Sequence, residues 1–161
     1  MFRRESAMKK LHDVRQFLLT TLPEYQRNPD QIVTLVEDGK IEFHRGPSLS
    51  HGYTYTAQIV LLDYSRDVDH IVVPLLMWMQ RFEPDVDPHE AIQFEAEILD
   101  EGVVDLILRI RFNERVVAKA SEETGKIDIE HKAPAFDIGL PETRTWTLVT
   151  ADNAEGSEWT I

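Results

Sequence analysis

Nine consecutive apolar residues, Ile71–Met79, follow the acidic turn Asp63–Asp69 and constrain this chain more than any other feature. Val68, Ile71, Val72, Leu75, Leu76, Met79 and Phe82 fall at helical spacing. Val73, Met77 and Trp78 widen the apolar surface beyond a single stripe. A helix apolar on most sides needs cover on most sides. The expectation is a helix shared between the domain core and a subunit interface, with Ile71, Val72, Leu75, Leu76, Trp78, Met79 and Phe82 as its packing residues. Asp67 and Asp69 are the natural N-caps, since a short carboxylate there can accept from amides of the first turn. Pro74 is compatible with a helix beginning near His70 or Ile71, because the first four amides have no intrahelical acceptor. The run is about half of the roughly 18 apolar residues a membrane span requires.

The rest of the chain supplies elements for such a helix to pack on. Lys9–Leu22 places Leu11, Val14, Phe17, Leu18 and Leu22 at helical spacing, and Pro23 closes the pattern. Glu24–Asp30 reads as a connection. Ile32–Val36 and Ile41–Phe43 flank Asp38-Gly39, which predicts a hairpin turn there. In Tyr53–Leu62 the odd-numbered residues form one row, and apolar residues on both sides near its end predict a central strand covered on both faces. Beyond the loop Glu83–Pro88, Ile92, Phe94, Ala96 and Ile98 alternate with polar residues and read as an inward row. Asp100-Glu101-Gly102 turns the chain into a second inward row from Val104 to Phe112, and Asn113-Glu114 reads as a further turn before Arg115–Ala120. Lys126–Glu130, with Ile127 and Ile129, completes an antiparallel meander.

These elements predict an α+β protein with two main helices on a mostly antiparallel sheet. Residues 1–8 form an N-terminal extension, 9–136 one domain, and 137–161 an extended C-terminal arm anchored by Trp146 and Trp159. Met8, just before Lys9-Lys10, offers an alternative start.

Composition narrows the chemistry. Seventeen basic residues against 29 acidic ones give a net charge of −12, a surface that repels nucleic-acid phosphates. Arg109, Arg111, Arg115 and Lys119 alternate with other residue types and read as a solvated sheet face. With no cysteine there are no disulfides, thiolate metal sites or cysteine nucleophile, and the expectation is folding in a reducing cytoplasm. The six histidines lack the paired spacing of a helix-borne zinc site. The acidic cluster Asp63, Asp67, Asp69 and His70 has neither the central glycine nor the closing glutamate of a calcium loop. Glu83, Asp85, Asp87, His89 and Glu90 read as a solvated loop. No serine stands in a nucleophile elbow, and the glycines are dispersed rather than gathered in a phosphate-binding loop. Nothing here indicates an enzyme, a metal or a cofactor.

The order of features carries a resemblance. Asn28-Pro29-Asp30 precedes Val36-Glu37-Asp38-Gly39-Lys40-Ile41. A strand ending Val60-Leu61-Leu62-Asp63-Tyr64 leads through an acidic turn to Ile71-Val72-Val73-Pro74-Leu75-Leu76-Met77-Trp78-Met79, and Pro84-Asp85-Val86 follows the helix. From about Lys9 to Lys132 this resembles the tail completion protein R (GpR) family of contractile-tailed phages. The resemblance implies a structural virion protein that ends the tail tube and prepares it for joining to the head. It also implies self-association as a ring, a hexamer by analogy with tail terminators, and a place at the head-proximal end of the tail after assembly in the host cytoplasm. Its implied partners are tail tube, sheath and head-neck connector proteins, with no catalytic residues to carry over. The rival reading is a non-catalytic adaptor that holds a protein partner on its sheet face and arm.

Overall fold

A computed structural model describes residues 8–133, 136–141, 144–150 and 155–161, so the extension 1–8 lies outside the described residues except for Met8. The protein is α+β: helices α1 (Lys9–Thr21) and α3 (Asp69–Phe82) lie on one face of a five-stranded antiparallel sheet. The strands are β1 (Ile32–Phe43), β2 (His51–Tyr64), β3 (Ile92–Asp100), β4 (Val103–Ser121) and β5 (Lys126–Lys132). Their order is β1-β2-β4-β3, and β5 pairs with the distal half of β4 on the edge that β3 occupies further back. The core joins Leu11, Val14 and Leu18 of α1 to Ile71, Leu75 and Trp78 of α3, over Ala57, Ile59, Leu61, Leu106, Leu108 and Ile110 of the sheet.

Between α1 and β1 the chain is not an open connection. Pro23 sits in the first turn of the short helix α2 (Pro23–Arg27), where its missing amide costs nothing, and one 3₁₀ turn, Pro29–Gln31, follows. Tyr25 of α2 is buried, its hydroxyl donates to the Leu62 carbonyl at 3.0 Å, and its ring stacks on Tyr64. This fastens the end of α1 to the end of β2.

Two predicted turns are strand interior instead. Asp38-Gly39 does not reverse the chain: Glu37 pairs with Thr56 and Lys40 with Thr54, so two residues of β1 stand opposite Tyr55 alone. This is a β-bulge, with Asp38 at φ 51°, and the reversal comes later, through residues 44–50. Asn113-Glu114 likewise stays in β4, paired with Thr54 and Tyr53. Glu114 keeps the inward phase of Phe112 and Val116 because its buried carboxylate has a partner, the Lys10 amide, at the start of α1.

Cover differs from expectation on two surfaces. The even-numbered face of β2, from Thr54 to Leu62, is only half-buried, because both helices lie on the opposite side. Phe94 and Ile98 of β3 point to the helix-bearing side, opposite Leu108 and Val104, yet are 70% and 78% exposed. β3 is an edge strand that extends past the reach of both helices.

The described C-terminal residues form a hairpin rather than running out as an extended arm. β6 (Thr145–Val149) pairs with β7 (Glu155–Thr160), with Trp146 opposite Trp159, and β7 packs on α1 and α3.

Candidate assembly surfaces

The start of α3 depends on the acidic turn. The Asp67 carboxylate accepts the Asp69 amide at 3.0 Å, while the Asp67 and Val68 carbonyls accept the amides of His70 and Ile71. Val68 occupies the N-cap position and no side-chain bond is made from it. Asp69 is the first helical residue, where its negative charge faces the positive end of the helix dipole. The helix therefore begins earlier than the proline argument required, and Pro74 lies inside it. Lacking an amide proton, Pro74 cannot donate to the carbonyl of His70, one turn back.

Along α3, Ile71, Leu75, Trp78 and Met79 are buried in the core, and Trp78 meets Phe82 and Phe112 ring to ring. Val72 and Phe82 are half-buried. On the flank, the Trp159 indole N–H donates to the Met77 sulfur at 3.3 Å, and Trp159 is only 6% exposed. The C-terminal hairpin thus covers part of the wide apolar surface within one chain. Val73 and Leu76 remain exposed. Trp146, the other expected anchor, is half-buried, with the Arg144 guanidinium 5.8 Å from its ring centre.

Several of the acidic side chains singled out in the sequence have structural partners. The Asp63 carboxylate accepts from the Gln31 side-chain amide at 3.4 Å, Asp87 accepts the His89 amide, and Glu90 pairs with Arg111. Among the described residues, no group of three or more His, Cys, Asp or Glu side chains could share a metal ion.

Glu83 and Glu114 are buried beside the start of α1. Glu114 accepts the Lys10 amide at 2.8 Å, so a residue far along the chain serves the N-terminal turn of α1 as a cap would, at a helix start where Met8 makes no side-chain bond. Glu83 pairs with the Lys10 ammonium and accepts the Asn113 amide. Burial pushes the Glu83 carboxyl above the usual range, and Lys10 offsets this in part. Burial, and then the Glu114 charge, push the Tyr55 phenol up. Sequence reading missed this cluster. The only signal was that Glu114 falls in phase with Phe112 and Val116.

Beyond this point neither helix covers the sheet. Ile41, Phe43 and Leu49 help line an open cavity of about 520 Å³ with His51 and Tyr53, and Phe43 is 67% exposed. Ile127 and Ile129 of β5 stand opposite Ala120 and Ala118 on the same side and are exposed. At the opposite end of the sheet, Phe94, Ile98 and Leu99 are exposed. A small domain rarely leaves apolar side chains uncovered at both ends of its sheet unless those ends meet other protein.

Such a surface defines a component built for protein–protein assembly. The chain belongs to the P2 phage tail completion protein R (GpR) family, whose model matches residues 8–135. It is 26% identical over 129 residues to tail completion protein R of Escherichia phage P2, covering 77% of this chain and 82% of that protein. No solved structure matches the chain significantly.

Proposed function

We propose that this protein completes the tail tube of a contractile phage tail. It closes the head-proximal end as a ring, a hexamer by the terminator analogy, and readies that end for the head-neck connector. Its partners are further copies of itself, the tube and sheath proteins, and the connector. The observation that carries this reading is the family match across residues 8–135, together with apolar side chains left open at both ends of the sheet. The net charge of −12 suits a passage through which DNA moves without adhering. Electron microscopy of particles from a phage lacking this gene tests it. The expected outcome is unjoined heads with overlong or unstable tails. Normal-length tails joined to heads would overturn the reading.

A further inference from the structure

The two ends of the sheet differ in charge as well as in cover. At the β3–β4 turn, Glu97 stands opposite Asp105 and the turn itself carries Asp100 and Glu101, all beside exposed Ile98 and Leu99. No described ion pair neutralises any of those four carboxylates. At the other end the β4–β5 hairpin extends past β2, which stops pairing at Val116. Its helix side carries Ile127 and Ile129, while its outer side carries Arg115, Lys119 and Lys126, none in a described ion pair. Asp128 and Glu130 share that outer side, and Glu122 and Glu123 lie in the tip, so the usable cations are along the strands rather than at the tip.

We infer that the β3–β4 turn end of one copy seats on the β4–β5 hairpin of a second copy. In this contact carboxylates meet the hairpin cations on the outer side, and Ile98 meets Ile127 and Ile129 on the helix side. The inference rests on the ring reading and supplies its contact. A chain of net charge −12 repels itself at random orientations, so self-association selects one that opposes the carboxylates of the β3–β4 turn to the cations along the hairpin strands. Because the two surfaces are different parts of the same chain, each copy keeps one of each free for the next. That heterologous arrangement propagates from copy to copy, the kind of contact from which a ring closes when successive rotations complete a turn.

Charge reversal tests the contact on the full chain, by mass photometry and sedimentation velocity. Lys119→Glu with Lys126→Glu makes the hairpin acidic like the turn, and Glu97→Lys with Glu101→Lys removes the turn's net negative charge and sets two lysines against the hairpin cations. Each double variant alone should lose association about tenfold or more at low salt. Mixed one to one, the two should assemble again, because the carboxylates added to one variant's hairpin then meet the lysines added to the other's turn, while the unaltered hairpin meets the unaltered turn around an alternating ring. Ile129→Thr provides an arm independent of charge and should weaken wild-type assembly. All five side chains are exposed, and unchanged thermal melting of the dispersed chains verifies the folds. Wild-type assembly that neither double variant weakens, or variants that stay dispersed when mixed, would overturn this contact and leave the ring standing. Wild-type chain that remains monomeric at every concentration, alone and with purified tube protein, would overturn the ring and the contact together.

Discussion

Strands β3 and β4 are hydrogen-bonded neighbours with nearly the same sequence pattern, and their fates differ. Phe94 of β3 stands directly opposite Leu108 of β4 on the helix-bearing face. Leu108 is 2% exposed and Phe94 is 70% exposed. Alternation assigns a side chain to a face of the sheet and says nothing about what lies over that face. Cover is set by where the helices sit: α1 and α3 lie over β2 and β4, and β3 lies at the edge. An apolar residue in an inward row is therefore a core residue in one strand and an unpartnered surface residue in the next.

The sharpest way to break this comparison is to truncate both kinds of position. Trp78→Ala, which removes the ring that α3 lays against Phe112, should cost about 3–5 kcal/mol, and Leu108→Ala about 2–5 kcal/mol. Phe94→Ala, although on the same face and directly opposite Leu108, should change the stability of the dispersed chain by no more than about 0.5 kcal/mol. Urea denaturation at a concentration where the chain does not associate measures all three. A Phe94 effect as large as that of Leu108 would mean that β3 is covered within the single chain.

What the sequence disclosed follows the same division. Both long helices and strands β2 and β4 left a periodic trace, since each puts one face of regular spacing into the core. The GpR resemblance rested on that packing pattern, and the family match spans the same residues. Misreadings arose where a polar residue had a distant reason to be in place. Asn113-Glu114 looks like a turn because the partner of Glu114, the Lys10 amide, lies 104 residues away. Asp38-Gly39 has the chemistry of a tight turn, but the same φ > 0 also suits a bulge, and only the pairing with β2 decides between them. Trp159 looks like an isolated anchor because Met77, its contact, is equally remote in sequence. The turn carboxylates and the hairpin cations were visible as residues, whereas their separation to opposite ends of one sheet required the register.

A second contrast, of intermediate size, concerns where a carboxylate is kept. Glu97 is exposed with no described partner, whereas Glu114 is buried and holds the first turn of α1. Glu114→Ala leaves the Lys10 amide without its acceptor and should destabilise the fold by about 1–3 kcal/mol. Glu97→Ala should fall within about 0.5 kcal/mol. Amide hydrogen exchange provides a local readout: protection in the first turn of α1 should fall for Glu114→Ala and be unchanged for Glu97→Ala. Equal protection in both variants would mean that α1 starts without help from β4.

The smallest expected effect is a pH dependence of stability that comes from Glu83. Glu83 carries a carboxyl raised by burial, with Lys10 and the Asn113 amide only partly offsetting the shift and Asp85 adding to it. The folded protein therefore holds this proton more tightly than the unfolded chain does, and unfolding releases it. By linkage, the contribution of Glu83 is most favourable below its ordinary value of 4.5 and is lost as pH rises from there through the raised folded value. Glu83→Gln cannot titrate, so the stability of the wild type relative to this variant should decline across that window and then level off. Urea midpoints at a series of pH values read the curve. A Glu83 difference that rises with pH would mean that attraction to Lys10 outweighs desolvation, and that the pair is a net stabilising bridge rather than a buried charge merely kept tolerable.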